Sequence, residues 1–290
     1  MTKLNTHYQT LIDNMGVTGL EIPLTGVKFY RGNDKLPGEL KKYITDGISL
    51  TSCQAAKQAA LGDPVCLTKR NIGCIAAAIT FGIVDQHDDQ PFEGPRVYTD
   101  IMKDQVADEK EFTPPTPNDF TKGTVYACKN EGRMDFALFG KEDSGRYNSA
   151  KTARSAIKDM LAIQPADTTA VFFFPCNFEG VDIIPDIVVM SVRPVELARL
   201  IQAYQFNTGK RVTASMGAVR VVNSDLIVRP YLTQEINIST YCVGARLIAR
   251  YEGNRLGIGF PWKDFELTVK GMKDSRTGFP FHQYPDADNT

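Results

Sequence analysis

The spacing of apolar residues predicts a chain that alternates between short helices and short strands. Near the start of the chain, apolar residues recur at helical spacing and predict an amphipathic helix over Met1–Gly16. The segment Thr51–Ile83 then has the pattern of a helix, a tight turn, a strand and a second helix, and the rest of the chain is organised around it. Its elements are predicted at Thr51 or Ser52 to Gly62, at Val65–Thr68 and at Asn71–Gly82.

The second half of the chain shows the same alternation. Two strongly apolar runs predict buried central strands, and a proline at a first helical turn predicts the helix that follows them. The predicted elements are a hairpin of Thr124–Cys128 and Met134–Phe139, a helix from Ser149 to Pro165, strands Thr169–Phe174 and Asp186–Val192, a helix from Pro194 to Gly209, strands Lys210–Ser215 and Leu256–Phe260, and a helix from Pro261 to Met272.

These elements predict an α/β or α+β fold in which mixed sheets are flanked by short helices. We expect one domain over residues 1–273, built from lobes of about 1–123 and 124–273, with a polar tail over 274–290. An internal duplication is suggested because Asn71–Ala77 resembles Asn237–Ala245. Residues 85–123 are rich in charge, proline and glycine, which predicts a long loop.

Composition excludes several classes of protein. The net charge is −1 and no long run is basic, which argues against a nucleic-acid binder or a binder of anionic membranes. No apolar run is long enough to span a bilayer and no signal peptide is evident, so we expect a cytoplasmic protein. No phosphate-binding glycine motif occurs, and the three histidines do not suggest a zinc hydrolase or a Ser-His-Asp triad.

Six widely spaced cysteines carry the candidate chemistry, and none belongs to a Cys-x-x-Cys pair. Cys53, Cys74 and Cys242 are predicted at the starts of helices, where backbone N–H groups and the helix dipole favour a thiolate. If the duplicated halves converge, these three thiolates could hold a [4Fe–4S] cluster with one exchangeable ligand, or a zinc ion. The alternative is that they are small buried core residues. Core or loop roles are expected for Cys66, Cys128 and Cys176.

Two cations are candidate contacts for an anionic ligand or cofactor. Lys28 lies in an apolar strand, so it must reach solvent, pair with a carboxylate or meet a ligand, and the first two outcomes are favoured. Arg246 lies one turn after Cys242 and could stabilise its thiolate or bind an acidic ligand. A surface salt bridge is an equally good explanation for Arg246.

The chain resembles the domain-of-unknown-function 169 family of archaea and anaerobic bacteria. The resemblance rests on an ordered series of motifs from Gly26 to Gly271 and weakens over residues 85–146. These motifs are GVKF at Gly26–Phe29, CQAAKQAALG at Cys53–Gly62, NIGCIAAA at Asn71–Ala78, PDIVV at Pro185–Val189, QAYQFNTG at Gln202–Gly209, PYL, NIS and CVGAR within Pro230–Arg246, and GIGFP at Gly257–Pro261.

The family supplies no settled activity, but the resemblance implies that Cys53, Cys74 and Cys242 match its cysteine positions. Family members often carry a further cysteine near Val221–Asn223, and this chain has none there. A three-cysteine site is therefore the strongest form of the metal hypothesis.

The sequence therefore predicts a cytoplasmic metal-binding protein of anaerobic metabolism, with an iron–sulfur cluster, or zinc as the alternative, held by three cysteines. It would serve as a redox or accessory protein, with a redox partner protein or a small acidic ligand and with homo-oligomerisation as a possibility. Two rival hypotheses stay open. One is a non-catalytic protein that binds a small ligand and has structural cysteines, and the other is a thiol-dependent enzyme acting on a small acidic substrate.

Overall fold

The computed structural model describes residues 2–15, 20, 22–90, 116, 118, 150–158, 160–163, 167–179 and 182–275. The helices are α1 (Lys3–Met15), α2 (Ser52–Ala60), α3 (Ile75–Thr80), α4 (Ala150–Lys158), α5 (Pro194–Thr208), α6 (Arg229–Thr233), α7 (Val243–Ile248) and α8 (Trp262–Asp274). A 3₁₀-helix covers Gly38–Tyr43, and a π-helix covers Ser224–Val228. The strands are β1 (Thr25–Arg31), β2 (Val65–Leu67), β3 (Thr168–Pro175), β4 (Ile187–Val192), β5 (Asn237–Ser239) and β6 (Leu256–Pro261).

The described strands form one six-stranded sheet in the order β2-β3-β1-β4-β6-β5, which confirms the predicted α/β class. The ladders β1/β4, β4/β6 and β5/β6 are antiparallel, with Val27 opposite Ile187, Val189 opposite Gly259, and Ile238 opposite Ile258. Strand β4 is buried along its whole length, as its unbroken apolar sequence predicts. The sequence led us to expect more than one sheet, but these strands all join the same one.

The chain divides into two compact units. Unit 1 comprises Met1–Lys28, Ala56–Val65 and Phe172–Thr290, and unit 2 comprises Phe29–Ala55 and Cys66–Val171. The predicted lobe boundary near residue 123 lies outside the described residues, so the division into lobes stays a prediction. The predicted hairpin at residues 124–139, most of the 85–123 loop and nearly all of the 274–290 tail also lie outside them.

Unit 1 is stabilised by helix packing and by a cluster of aromatic rings. Helix α8 packs against α5 and α1. The rings of Phe172, Phe174 and Phe178 lie with centroids 5.3 to 5.9 Å apart, and only Phe172 and Phe174 are stacked. In this range, aromatic pairs add to the stabilisation gained from burial alone.

Unit 2 contains α3, α4 and the first part of α2, up to Ala55. Its core includes Phe29 and Phe81, whose ring centroids lie 5.7 Å apart in an edge-to-face arrangement. Thr51 and Gln54 close the first turn of α2. The backbone N–H of Gln54 donates to Thr51 Oγ1, and the backbone N–H of Thr51 donates to Gln54 Oε1. This capping box is why the helix begins where the sequence predicts.

Three sequence predictions in the described chain are wrong. The helix predicted from Ser149 to Pro165 ends at Lys158, and residues 160–163 are not helical. Lys210–Ser215 is not a strand but an irregular segment, because its backbone partner is a side chain and not a neighbouring strand. Helix α3 begins at Ile75 and not at Asn71, because the Asn71 side chain holds a turn with Thr68. The π-helix was not predicted. No helix in the described part of the chain is long and apolar enough to cross a membrane.

Candidate functional site

The three candidate metal-binding cysteines lie at helix starts, as the sequence predicts. Cys53 is the second residue of α2, and Cys74 and Cys242 are the N-cap residues of α3 and α7. Cys53 and Cys74 are buried, whereas Cys242 is half-buried. The Ala245 N–H donates to Cys242 Sγ at 3.4 Å, so this sulfur caps its helix in the way that an N-cap oxygen does.

The three cysteines fall in both compact units of the chain. Cys53 and Cys74 belong to unit 2, and Cys242 belongs to unit 1. Among the described residues, no group of three or more His, Cys, Asp or Glu side chains is placed to hold a metal ion. The three-cysteine metal site therefore stays a prediction.

Cys66 and Cys176 have the structural character expected from the sequence. Both are buried, and burial raises the pKa of the Cys66 thiol to about 12 and that of the Cys176 thiol to about 11. A thiol with a pKa this high is protonated at neutral pH and is a poor nucleophile. Cys128 lies outside the described residues.

Lys28 pairs with a carboxylate, which is one of the outcomes favoured by the sequence. Its Nζ lies 2.6 Å from Asp186 Oδ1, and Asp186 precedes β4. Both side chains are partly exposed, so the pair contributes only about 0 to 1 kcal/mol to stability. The predicted role of Lys28 in ligand binding is not needed to explain its position.

Arg246 supports the backbone around α7. Its two terminal nitrogens donate to Glu252 O and Thr240 O, each at 2.6 Å, and its guanidinium carbon lies 5.9 Å from the centroid of the Tyr241 ring. These contacts stabilise the polypeptide on both sides of the helix. They also occupy the guanidinium, so they do not favour its predicted role as a contact for an acidic ligand.

A cleft in unit 1 is large enough to hold a small molecule. Its volume is about 400 Å³. Three parts of the chain form it: the end of α5 with the segment that follows, the connection from α6 to β5, and the start of α8. The lining residues are Tyr204, Lys210, Arg211, Val212, Thr213, Gln234, Glu235, Ile236, Pro261, Lys263 and Asp264.

Local chain geometry explains how these parts turn towards a common space. Gly209 ends α5 with φ of 65°, a left-handed conformation that glycine adopts without a steric penalty. Gln234 ends α6 in a similar conformation, with φ of 56°. Pro261 is the N-cap of α8, which places Lys263 and Asp264 in the first turn of that helix.

Three cations and two carboxylates line the cleft. Lys210, Arg211 and Lys263 make no ion pair and no side-chain hydrogen bond with any part of the chain that the structure describes. Lys210 and Lys263 nevertheless lie close enough to Asp264 to lower its pKa, although burial outweighs them and the pKa of Asp264 is raised. With both carboxylates ionised, the three cations leave one net positive charge in the lining of the cleft.

The buried end of the cleft also holds a tyrosine hydroxyl. Burial raises the pKa of Tyr204, and the negative charges of Asp264 and Glu235 raise it further. Tyr204 is therefore a neutral hydrogen-bond donor at physiological pH. Cations, carboxylates and a tyrosine thus line the cleft together with Val212, Ile236 and Pro261, so its lining is mostly polar.

Sequence reasoning missed this cleft. The sequence predicts a strand at Lys210–Ser215, and the lining residues at 234–236 and 261–264 fall in two distant parts of the chain. One signal in the sequence points to the cleft, namely the two adjacent cations directly after Gly209. They follow the end of a helix, and the sequence there does not demand a strand. No signal in the sequence linked these cations to Lys263.

Comparison with protein-family profiles matches residues 16–271 to the domain-of-unknown-function 169 family, described as "Uncharacterised ArCR". The match covers most of the chain, so the protein belongs to this family, as its motifs indicated. Searches of curated proteins and of solved structures found no significant match.

Proposed function

We propose that this member of the domain-of-unknown-function 169 family binds a small acidic molecule in the cleft of unit 1. The observation that carries the proposal is the set of three cations, Lys210, Arg211 and Lys263, that line the cleft without an ion pair among the described residues. Cations that converge on one cavity repel each other, and an anionic ligand relieves that repulsion. The proposal therefore follows the hypothesis of a ligand-binding protein and not that of a metal-binding protein.

The size of the cleft supports a metabolite-sized ligand. Its volume of about 400 Å³ lies within the range of pockets that bind small molecules, on the order of 300–1,000 Å³. A peptide or a nucleic acid would extend well beyond the lining residues. The proposed ligand is therefore a compact acid, since the cations outnumber the carboxylates in the lining of the cleft.

The cations have different roles in this proposal. Arg211 offers a planar, bidentate donor to one carboxylate or phosphate group. Lys210 and Lys263, near Asp264, act as point charges for a second acidic group. The Tyr204 hydroxyl and the Thr213 side chain can donate hydrogen bonds that fix the orientation of the ligand. The proposed role of the cleft is ligand binding.

Isothermal titration with citrate at low ionic strength tests this function. We expect wild-type protein to bind citrate, and we expect Lys263→Glu to weaken binding by about tenfold or more, because reversing one nearby charge costs more than about 1.4 kcal/mol in a partly desolvated site. Lys270→Glu is the matched control, since Lys270 is an exposed lysine on the same helix and does not line the cleft.

Equal binding by the two variants would show that citrate does not occupy the cleft. A failure of wild-type protein to bind citrate, phosphate or pyrophosphate would reject the proposed function. Because Lys263 is exposed, its replacement is expected to leave the fold intact, which thermal unfolding can verify.

The three-cysteine metal site is a second candidate function. It is supported by the positions of Cys53, Cys74 and Cys242 at helix starts, where thiolates are favoured. Metal analysis of protein purified without oxygen tests it, with about three to four irons per chain expected for a [4Fe–4S] cluster. Metal-free protein from an iron-replete host would reject the iron–sulfur site and, with it, the redox role in anaerobic metabolism.

A further inference from the structure

The loop at residues 210–217 supplies four of the lining residues of the cleft but has no regular secondary structure. It carries Lys210 and Arg211, and most of it is exposed. Loops of this kind sample many conformations unless other groups hold them. Recognition of a ligand by Arg211 therefore depends on whatever fixes the loop.

A buried asparagine holds the far end of this loop. Asn237, the first residue of β5, is 2% exposed. Its Oδ1 accepts a hydrogen bond from the Ser215 N–H at 2.8 Å, and its Nδ2 donates to Ser215 O at 2.9 Å. The side-chain amide thus makes two hydrogen bonds to the backbone of one loop residue, as a residue of a neighbouring strand would.

A buried carboxylate holds the next part of the loop. The Gly217 N–H donates to Asp225 Oδ2 at 2.9 Å, and Asp225 is 6% exposed within the π-helix. Asn237 Nδ2 also donates to Asp225 O at 3.0 Å, so the two anchors are connected. Irregular helical turns of the π type occur frequently at functional sites.

We propose that Asn237 and Asp225 are positioning residues for ligand binding, because they fix the loop that presents Lys210 and Arg211 to the cleft. Neither residue lines the cleft. Their buried side chains direct three hydrogen bonds to backbone groups of Ser215 and Gly217, only a few residues after Arg211. The inference rests on the proposed function, since it assigns these residues a role in binding at the same site.

The chain offers a matched control for Asn237. Asn71 in unit 2 is 1% exposed, and its amide also accepts from and donates to backbone groups, at Thr68 N and Cys66 O. Replacing either asparagine by alanine leaves buried backbone groups without partners, so both variants are destabilised. Only Asn237→Ala removes contacts to the loop of the cleft.

The test compares citrate binding and amide hydrogen exchange at pH 8 for wild type, Asn237→Ala and Asn71→Ala. We expect Asn237→Ala to weaken binding by about tenfold or more, the equivalent of one to two net hydrogen bonds, and to speed exchange in residues 211–217 of the ligand-free protein. We expect Asn71→Ala to bind within about twofold of wild type, because the loop that it holds is a different one.

A second pair of variants keeps the test valid if Asn237→Ala does not fold. Asp225→Asn keeps an oxygen that accepts from the Gly217 N–H, and we expect near wild-type binding. Asp225→Ala lacks that oxygen, and we expect weaker binding and faster exchange in the loop. If wild type binds citrate but neither Asn237→Ala nor Asp225→Ala changes binding or exchange, the positioning role is wrong. If wild type does not bind citrate or phosphate, the proposed function fails first.

Discussion

Asn71 in unit 2 and Asn237 in unit 1 lie in parts of the chain with similar sequences, Asn71 in a turn and Asn237 at the start of β5. Each is a buried asparagine that precedes a cysteine at the N-cap of a six-residue helix. Each uses its amide to hold backbone groups that regular secondary structure does not pair. The sequence similarity between Asn71–Ala77 and Asn237–Ala245 thus corresponds to a similar local design.

The two asparagines differ in what they hold. Asn71 closes its own turn, with Thr68 three residues earlier and Cys66 five residues earlier. Asn237 holds Ser215, which lies 22 residues away and a few residues after Arg211 of the cleft. The comparison teaches that one local pattern can serve the stability of a turn in one place and the geometry of a binding site in another.

The cysteines after these asparagines differ as well. Cys74 is 5% exposed and makes no side-chain cap hydrogen bond, whereas Cys242 is half-buried and caps its helix through Sγ. A shared position at a helix start therefore does not give the two sulfurs the same environment. A common chemical role for them needs direct evidence of metal binding.

The largest expected difference between the two regions is in the stability that is lost when a glycine in each is replaced by alanine. A Cβ atom at Gly259 would lie 1.9 Å from Leu226 O in the π-helix, whereas a Cβ atom at Gly73 would lie 3.3 Å from the backbone of Leu50. We expect Gly259→Ala to lower the free energy of unfolding by about 3 kcal/mol or more, and Gly73→Ala by about 1 kcal/mol, because only the first forces backbone atoms apart.

Urea denaturation of the two variants measures this difference. Losses that agree within about 0.5 kcal/mol, the usual scatter for independent sites, would contradict the close packing of the π-helix on β6. Such a result would also remove the structural reason for the position of Asp225.

The next effect concerns pH. Burial raises the pKa of Asp225 from its ordinary value of 3.8 to about 6, although hydrogen bonds from Gly217 and Ser224 and the charge of Arg229 lower it. The folded protein therefore binds a proton between about pH 6 and pH 4 that the unfolded chain does not bind. This group stabilises the fold as pH falls through about 6, and that stabilisation is lost as pH rises again.

We expect the unfolding free energy of wild type relative to Asp225→Asn to rise by about 2–3 kcal/mol between pH 8 and pH 4. Asparagine does not titrate, so the variant is the reference for all other groups. A relative stability that stays constant or falls over this range would show that Asp225 is not a buried carboxylate in solution. In unit 2, Asn71→Ala should show no corresponding pH dependence relative to wild type.

The smallest effect concerns the two N-cap cysteines. We expect Cys242→Ala to cost about 1 kcal/mol, the usual value for a lost cap, and Cys242→Ser to cost less than about 0.5 kcal/mol, because a serine oxygen can accept from the Ala245 N–H. At Cys74, we expect serine to be no better than alanine, with both costing about 1–2 kcal/mol, because a hydroxyl there is buried. Thermal unfolding of the four variants measures these differences. If serine preserved stability at position 74 but not at position 242, the conclusion that only Cys242 caps its helix through its side chain would be wrong.

Much of the fold could be predicted from the sequence because strong periodicity survives in the structure. The apolar runs at β3 and β4, the proline that starts α5 and the glycine that ends it each determine their element locally. These signals do not depend on distant partners. They therefore gave the right type of element, with bounds that differ by only a few residues.

The candidate site could not be predicted in the same way. The segment after Gly209 was assigned to a strand because its sequence permits one, but the amide of Asn237 takes the place of a strand partner. The π-helix depends on close packing of Leu226 against Gly259, which no local pattern records. The helix-start cysteines were predicted correctly, but their burial was not deducible from spacing.

The central claim is that the cleft of unit 1 recognises negative charge, and a pair of ligands that differ only in charge tests it most directly. Citrate and its neutral triamide have nearly the same size and shape. We predict that wild-type protein binds citrate about 100-fold more tightly at low ionic strength, a difference of about 2.7 kcal/mol, and that Arg211→Glu with Lys263→Glu removes this preference. Equal affinity of wild-type protein for the two ligands, or a preference that survives both charge reversals, would contradict the account.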